Sequence, residues 1–350
     1  MAPSTISSPT YDFRLKGPQL RGLPKVDLHR HLDCSMRWST VLELAPQVGL
    51  ELPKTLREIQ EGFLVLEPLR DLDSVLKKFM NAQKLLASDE ILQRLAEEAV
   101  EDAVNEGVRL LELRFAPTFI QEGHSSLHFK KILQALTKGL ESAQKKWPIS
   151  VGLICIFQRN LPSARNAEVL KFLLENQDFF CGADLADLET AAPPRYFKNL
   201  FQEVSKAGIP ITIHSGEMPH AEASLWVRES VEILGARRIG HGVQVIHDLS
   251  TIDFLKINNI CLEICPLSNL LTGAFSSPEN HPLRKLFDAG LRVCINSDDP
   301  GIFHSSLLDD YRMAREAHQF SDEELRKMNQ FGYEASFLKN KEKWRKDFWP

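Results

Sequence analysis

What limits the folding options of this chain most is a rhythm. Eight short runs, apolar at nearly every position, are separated by longer amphipathic stretches. The runs are Lys25–Leu32, Leu110–Pro117, Ser150–Phe157, Phe179–Ala186, Ile209–Glu217, Arg238–Val243, Ile260–Leu267 and Leu291–Asp299. A strand with one wet face alternates apolar and polar residues. These runs do not alternate, so they read as strands buried on both faces, as in a parallel sheet.

The stretches between them carry the helical period. Asp89–Glu106 places Leu92, Leu95, Ala96, Ala99 and Ala103 on one face and Glu97, Glu98 and Glu101 away from it. Phe129–Lys146, Ala167–Asn176, Tyr196–Ala207 and Ala221–Leu234 follow the same pattern. Strand and helix alternating eight times predict an α/β fold, a (β/α)8 TIM barrel, rather than two domains. Trp38 to Leu86 is too long for one helix and predicts a helical insertion after the first strand. Leu307–His318 and Asp322–Leu338 predict extra C-terminal helices. The expected organisation is a leader over residues 1–22 and one catalytic domain over 23–350.

Charge narrows the partners. Against 47 acidic side chains stand 42 basic ones, a net charge of −5, which argues against a nucleic-acid surface. No apolar run is long enough for a bilayer, and the N-terminus has no apolar signal region. Five of the six cysteines lie in apolar runs, where a thiol acts as a small hydrophobe; all six are expected to be reduced and the protein cytoplasmic.

In such a barrel the chemistry sits at the C-terminal ends of the strands. The first run ends in His29-Arg30-His31, and residues two apart on a strand face the same way, so both imidazoles point into the barrel. The fifth run carries His214, the sixth His241 and the eighth Asp298-Asp299. Three imidazoles and a carboxylate suit Zn²⁺, although such a set accepts other divalent ions too. Glu217, three residues beyond His214, lies where it can reach a substrate while His214 holds the metal.

These motifs resemble the adenosine deaminases of the amidohydrolase superfamily. LPKVDLHRHLD, IHSGE, RIGHGV, CPLSN and INSDDP stand in that family's order, over Leu23 to about Leu338. The resemblance implies one Zn²⁺ per chain held by His29, His31, His214 and Asp298, with Glu217, His241 and Asp298 catalytic. Zinc would make a water nucleophilic near neutral pH. His241 and Asp298 would orient it towards C6 of the purine, and Glu217 would protonate N1. The implied substrate-binding set is His31, Asp33, Asp187, Gly216 and Asp299. Asp33 would meet the ribose 5′-hydroxyl; Asn at this place goes with N6-methyl-AMP and Glu with free adenine. The expected reaction is therefore hydrolytic deamination of adenosine or 2′-deoxyadenosine, with a small-molecule purine nucleoside as the partner. The alternatives are a 5′-modified adenosine, adenine or N6-methyl-AMP, or a catalytically inactive binding protein on the same fold. The oligomeric state is not legible.

Three departures stand out. Cys34 replaces a glycine. Asp187 replaces the glycine whose N–H meets purine N3, so a side chain there is expected to reshape the ribose pocket. Arg30 and Arg37 are expected near the mouth or on the surface.

Overall fold

The computed structural model describes residues 18–68 and 72–349. Residues 1–17 of the expected leader lie outside the described residues; its end forms a short helix, Pro18–Gly22. Eight strands follow: β1 Lys25–His31, β2 Val108–Phe115, β3 Ser150–Gln158, β4 Phe180–Ala186, β5 Thr212–Ser215, β6 Arg238–His241, β7 Cys261–Ile264 and β8 Arg292–Ile295. Every paired neighbour is parallel, with β1 to β4 in one ladder and β5 to β8 in another.

Two seams close the ring. Ala183 of β4 donates its N–H to Pro210 at 2.9 Å and bridges Ile211, just ahead of β5. On the other side His31 N–H donates to the Asp298 carbonyl and Asp298 N–H to the His29 carbonyl, both at 2.8 Å. The product is the (β/α)8 barrel.

Each predicted run overlaps a strand, β2 starting two residues before its run, but β5 to β8 keep only four residues apiece. After β5 and β6 the chain turns away at Gly216 and Gly242, whose φ values of 69° and 68° end the extended conformation. The predicted insertion is helical: Trp38–Leu44, Leu56–Phe63 and Leu72–Gln83 precede the long helix Asp89–Asn105. Short polar side chains start two of these elements. Thr55 and Glu58 form a capping box, and the Ser88 hydroxyl accepts from Ile91 N–H. The apolar stripe of Asp89–Asn105 is buried as its spacing predicts, with Val100 added.

The C-terminal helices Leu307–Glu316 and Asp322–Ala335 end the fold, and the chain beyond them closes the barrel floor. Ser336 Oγ and Phe337 N–H both donate to Glu112 Oε1, at 2.7 and 2.6 Å. Tyr333, Leu338 and Phe348 pack on Val26, Leu28 and Leu110 at the same end.

Arg30 contradicts the expectation placed on it, whereas Arg37 stands in a part-exposed surface ion pair. Arg30 is 1% exposed and pairs with Asp27 at 2.9 Å and with Glu106. It points away from His29 and His31 by the strand alternation that aims those two inward. Arg37 is taken up by Glu101 and Asp102 at 2.6 and 2.7 Å, so neither charges the mouth. All six cysteines are free. Among the described residues no helix is long and apolar enough to cross a membrane.

Candidate active site

At the C-terminal rim β1, β5 and the turn after β8 bring four side chains together. His29 Nε2 lies 3.0 Å from His214 Nε2, and His31 Nε2 lies 3.2 Å from it. Asp298 Oδ1 stands 3.5 and 3.4 Å from the Nε2 atoms of His29 and His31. A tetrahedron with Zn–N bonds near 2.05 Å has edges of about 3.3 Å, so these spacings are those of a tetrahedral cage. Gly240 of β6 makes room for it, since a Cβ there would come within 2.7 Å of His29 Cε1.

The far ring nitrogens decide whether a cation fits. His29 Nδ1 is 2.8 Å from Glu263 Oε2, and His214 Nδ1 is 2.9 Å from Asp184 Oδ2. Each carboxylate holds the proton on Nδ1 and leaves a lone pair on Nε2. Burial also lowers His31 and His214 below the usual histidine range, so they are neutral. Three ring nitrogens and a carboxylate oxygen converge at tetrahedral spacing, the donor types and geometry that hold Zn²⁺. The donor set therefore fits a divalent ion.

Beneath the cage lies a network that sequence reasoning missed. Arg114 of β2 bridges the two supporting carboxylates, 2.7 Å from Asp184 and 2.8 Å from Glu263. Glu263 also accepts from Arg238 Nε at 2.5 Å and Thr212 Oγ1 at 2.9 Å. Despite the cost of burial, His214 and Arg114 hold Asp184 below the usual carboxylate range; Arg114 and Arg238 do the same for Glu263. A signal was present: Arg114, Asp184 and Glu263 are charges inside runs that read as buried on both faces, and such charges must pair.

Across the cavity the carboxyls behave in the opposite way. Burial, reinforced by the Asp298 and Glu189 charges, pushes Glu217 up to about 8. Its Oε2 is 3.7 Å from His241 Nε2, which is itself 3.7 Å from Asp298 Oδ2. Asp299 is likewise pushed well above the carboxylate range, by burial and by Asp298 and Asp33. A hydrogen-bond chain sets the His241 tautomer. Leu283 N–H can only donate, and it donates to His281 Nδ1 at 3.2 Å. His281 Nε2 therefore donates to Asn269 Oδ1 at 3.2 Å, and Asn269 Nδ2 to His241 Nδ1 at 3.1 Å. The remaining His241 proton sits on Nε2 and faces the cavity. Asn269 and His281 were also missed.

The same cavity, about 720 Å³, is lined by His31, Asp33, Asp187, Glu217, Asp298 and Asp299 among others. Asp33 Oδ2 accepts from Ala116 N–H at 3.0 Å, while its buried Oδ1 has no hydrogen-bond partner and lies 4.0 Å from His31 Nδ1; burial raises the group to about 7. Cys34 lines the cavity beside it. Gly216 does not line it: its N–H donates to Glu189 Oε2 at 2.7 Å, as Glu217 N–H does to Oε1 at 2.8 Å. Gly216 thus shapes the turn that carries Glu217.

A cation cage and a proton-bearing carboxyl facing one cavity at the rim of a parallel barrel define a class, the barrel hydrolases that work with a divalent metal. The adenosine deaminase family model matches residues 24–346. Adenosine deaminase of Shewanella loihica is 34% identical over 322 residues, spanning 92% of this chain and 96% of its own. Adenine deaminase from Arthrobacter aurescens superposes with a TM-score of 0.85 at 25% identity, covering 93% of this chain and 98% of that one. The N6-methyl-AMP deaminase from Arabidopsis thaliana gives 0.80 at 27% identity, covering 94% and 97%. This chain belongs to the adenosine deaminase family.

Proposed function

We propose that the protein hydrolyses the 6-amino group of adenosine, giving inosine and ammonia, with residues 23–350 acting as one catalytic unit. The observation that carries this is the placement of Glu217, its carboxyl raised to about 8, on the same cavity as the cation cage and 3.7 Å from His241.

One zinc ion in the cage of His29, His31, His214 and Asp298 would supply the Lewis acidity that makes water nucleophilic near neutral pH. Every other task falls to side chains. His241 Nε2–H and the Asp298 carboxylate orient the incoming water towards C6. Purine C6 is a weak electrophile, so N1 must gain a proton as water adds, and Glu217 carries that proton at neutral pH. As water adds, its first proton restores the Glu217 carboxyl that has just protonated N1; the second then leaves the added hydroxyl through the same carboxyl to the amino group as the C6–N bond breaks, giving C6=O and ammonia. Asp299, protonated through burial and the neighbouring Asp298, donates to N7. His31 bounds the sugar side of the cage.

Relatives differ in substrate, and Asp33 favours the nucleoside. Its Oδ1 is a buried oxygen without a hydrogen bond, suited to a sugar hydroxyl and unsuited to a phosphate. The test is loss of adenosine absorbance with zinc-loaded protein, run beside adenine, AMP and N6-methyl-AMP. Preference for adenosine is expected; preference for adenine or a nucleotide sinks the reading.

A further inference from the structure

Asp187 follows β4 with φ at 84°, a left-handed conformation that is costly for any residue with a Cβ. Such residues persist where their surroundings hold them, and here the hold is explicit. Asp187 Oδ2 accepts from Gln158 Nε2 at 3.0 Å, and Oδ1 from Leu188 N–H at 3.3 Å. Gln158 Oε1 in turn accepts from Thr118 Oγ1. Thr118, Gln158 and Asp187 come from the rim positions beyond β2, at the end of β3 and beyond β4, and all three line the cavity.

This arc has a direction. Asp33, just past β1, sits at its other end, tied to Ala116 N–H. Glu217, His241, Asp298 and Asp299 occupy the opposite arc, past or at the ends of β5, β6 and β8. A base reacting against the second arc leaves its sugar over the first. With the sugar's 5′ end at Asp33, its 2′ edge, on the far side of the furanose from C5′, falls towards Asp187. A carboxylate only accepts, and each Asp187 oxygen keeps a lone pair beyond the bond it already makes.

We infer that Asp187, positioned by Gln158 and Thr118, accepts a hydrogen bond from the ribose 2′-hydroxyl, so that the protein discriminates adenosine from 2′-deoxyadenosine. This rests on the adenosine reading above and names which nucleosides the site prefers. A site built to accept from a hydroxyl penalises the analogue that lacks it, because its own polar group is left unpaired.

The test measures kcat/KM for adenosine, 2′-deoxyadenosine and 3′-deoxyadenosine with the native protein, Asp187→Gly and Asp187→Asn. Thermal denaturation of each variant reports folding. The native protein should favour adenosine over the 2′-deoxy analogue by about 10- to 100-fold, the worth of one hydrogen bond to a charged acceptor. Asp187→Gly, whose glycine suits the left-handed backbone, should bring that ratio close to one. Asp187→Asn, which tolerates the same backbone and weakens the acceptor, should give an intermediate ratio and decides the matter if the glycine variant does not fold. A native ratio near one, a ratio that neither variant changes, or an effect confined to the 3′-deoxy comparison overturns the inference while leaving adenosine deamination intact. Absence of any turnover of adenosine by the native, zinc-loaded protein overturns the functional reading instead, and this inference with it.

Discussion

The barrel holds two populations of buried carboxyls, and they differ in what surrounds them. On the floor of the site, Asp184 and Glu263 meet Arg114, Arg238 and the ligand histidines, and are held below the carboxylate range. At the rim, burial raises Asp33, and burial with the charges of neighbouring carboxylates raises Glu217 and Asp299. Residue types are the same, and the floor carboxylates are the more deeply buried, yet they are the ones held ionised, because they alone have cationic partners. Floor carboxylates are spent on fixing ring tautomers and cannot serve a substrate. Rim carboxyls keep a proton or an unpaired oxygen to offer one.

The contrast can be tested at both ends. The largest effect is expected at the rim: Glu217→Gln keeps the shape, binds zinc and loses about 10²–10⁴ in kcat, because an amide delivers no proton. Unchanged turnover in that variant would falsify the acid role. On the floor, Glu263→Ala removes one of the two carboxylate partners of each of the buried Arg114 and Arg238, and frees His29 Nδ1. Stability should drop by about 3–5 kcal/mol by denaturant titration. Zinc affinity should weaken about 10- to 100-fold by competition with a chelating dye. A variant with native metal affinity would show that the floor does not position the ligands.

Smaller effects follow. Asp33→Asn should cost adenosine about 10- to 100-fold in kcat/KM while AMP gains relative to it; parallel losses on both substrates would remove Asp33 from specificity. Glu217 works when protonated, so kcat/KM should fall up to about tenfold per pH unit as pH rises through its pKa, about 8 without the cation. A cation in the cage moves that limb to lower pH. A flat profile from pH 6 to 10 contradicts the assignment. The last effect appears only in acid and concerns His281, which burial lowers to about 3. Its folded pKa lies below the unfolded one, so its contribution is intact above about 6.5 and is lost as pH falls towards 3. Native stability should lose up to about 1.4 kcal/mol per pH unit more than His281→Gln over that range, read from midpoint shifts.

The sequence announces the rim better than the floor, for a physical reason. Rim residues cluster at strand ends in short motifs, so His29 and His31 reveal their shared direction through two-residue spacing. The floor assembles Arg114, Asp184, Glu263 and Arg238 from four strands, and only closure of the barrel makes them neighbours. Their one local trace is charge inside an apolar run. Arg30 shows the converse: its position between two ligand histidines looked like site chemistry, yet the same alternation drives it outward to Asp27 and Glu106. The runs over β5 to β8 outreach their strands because buried apolar residues continue on either side of the paired segments, and after β5 and β6 the backbone has already turned at Gly216 and Gly242.

Asp187, His241 and Asp298 share left-handed backbones, at φ 84°, 61° and 62°. Each is an expensive kink on the lip of an otherwise regular barrel, and each re-aims a polar group that the two-residue rhythm would send elsewhere. Anyone transplanting this chemistry onto an idealised scaffold must therefore graft main-chain torsions along with side chains. Substitutions chosen purely to relax those torsions trade function for robustness.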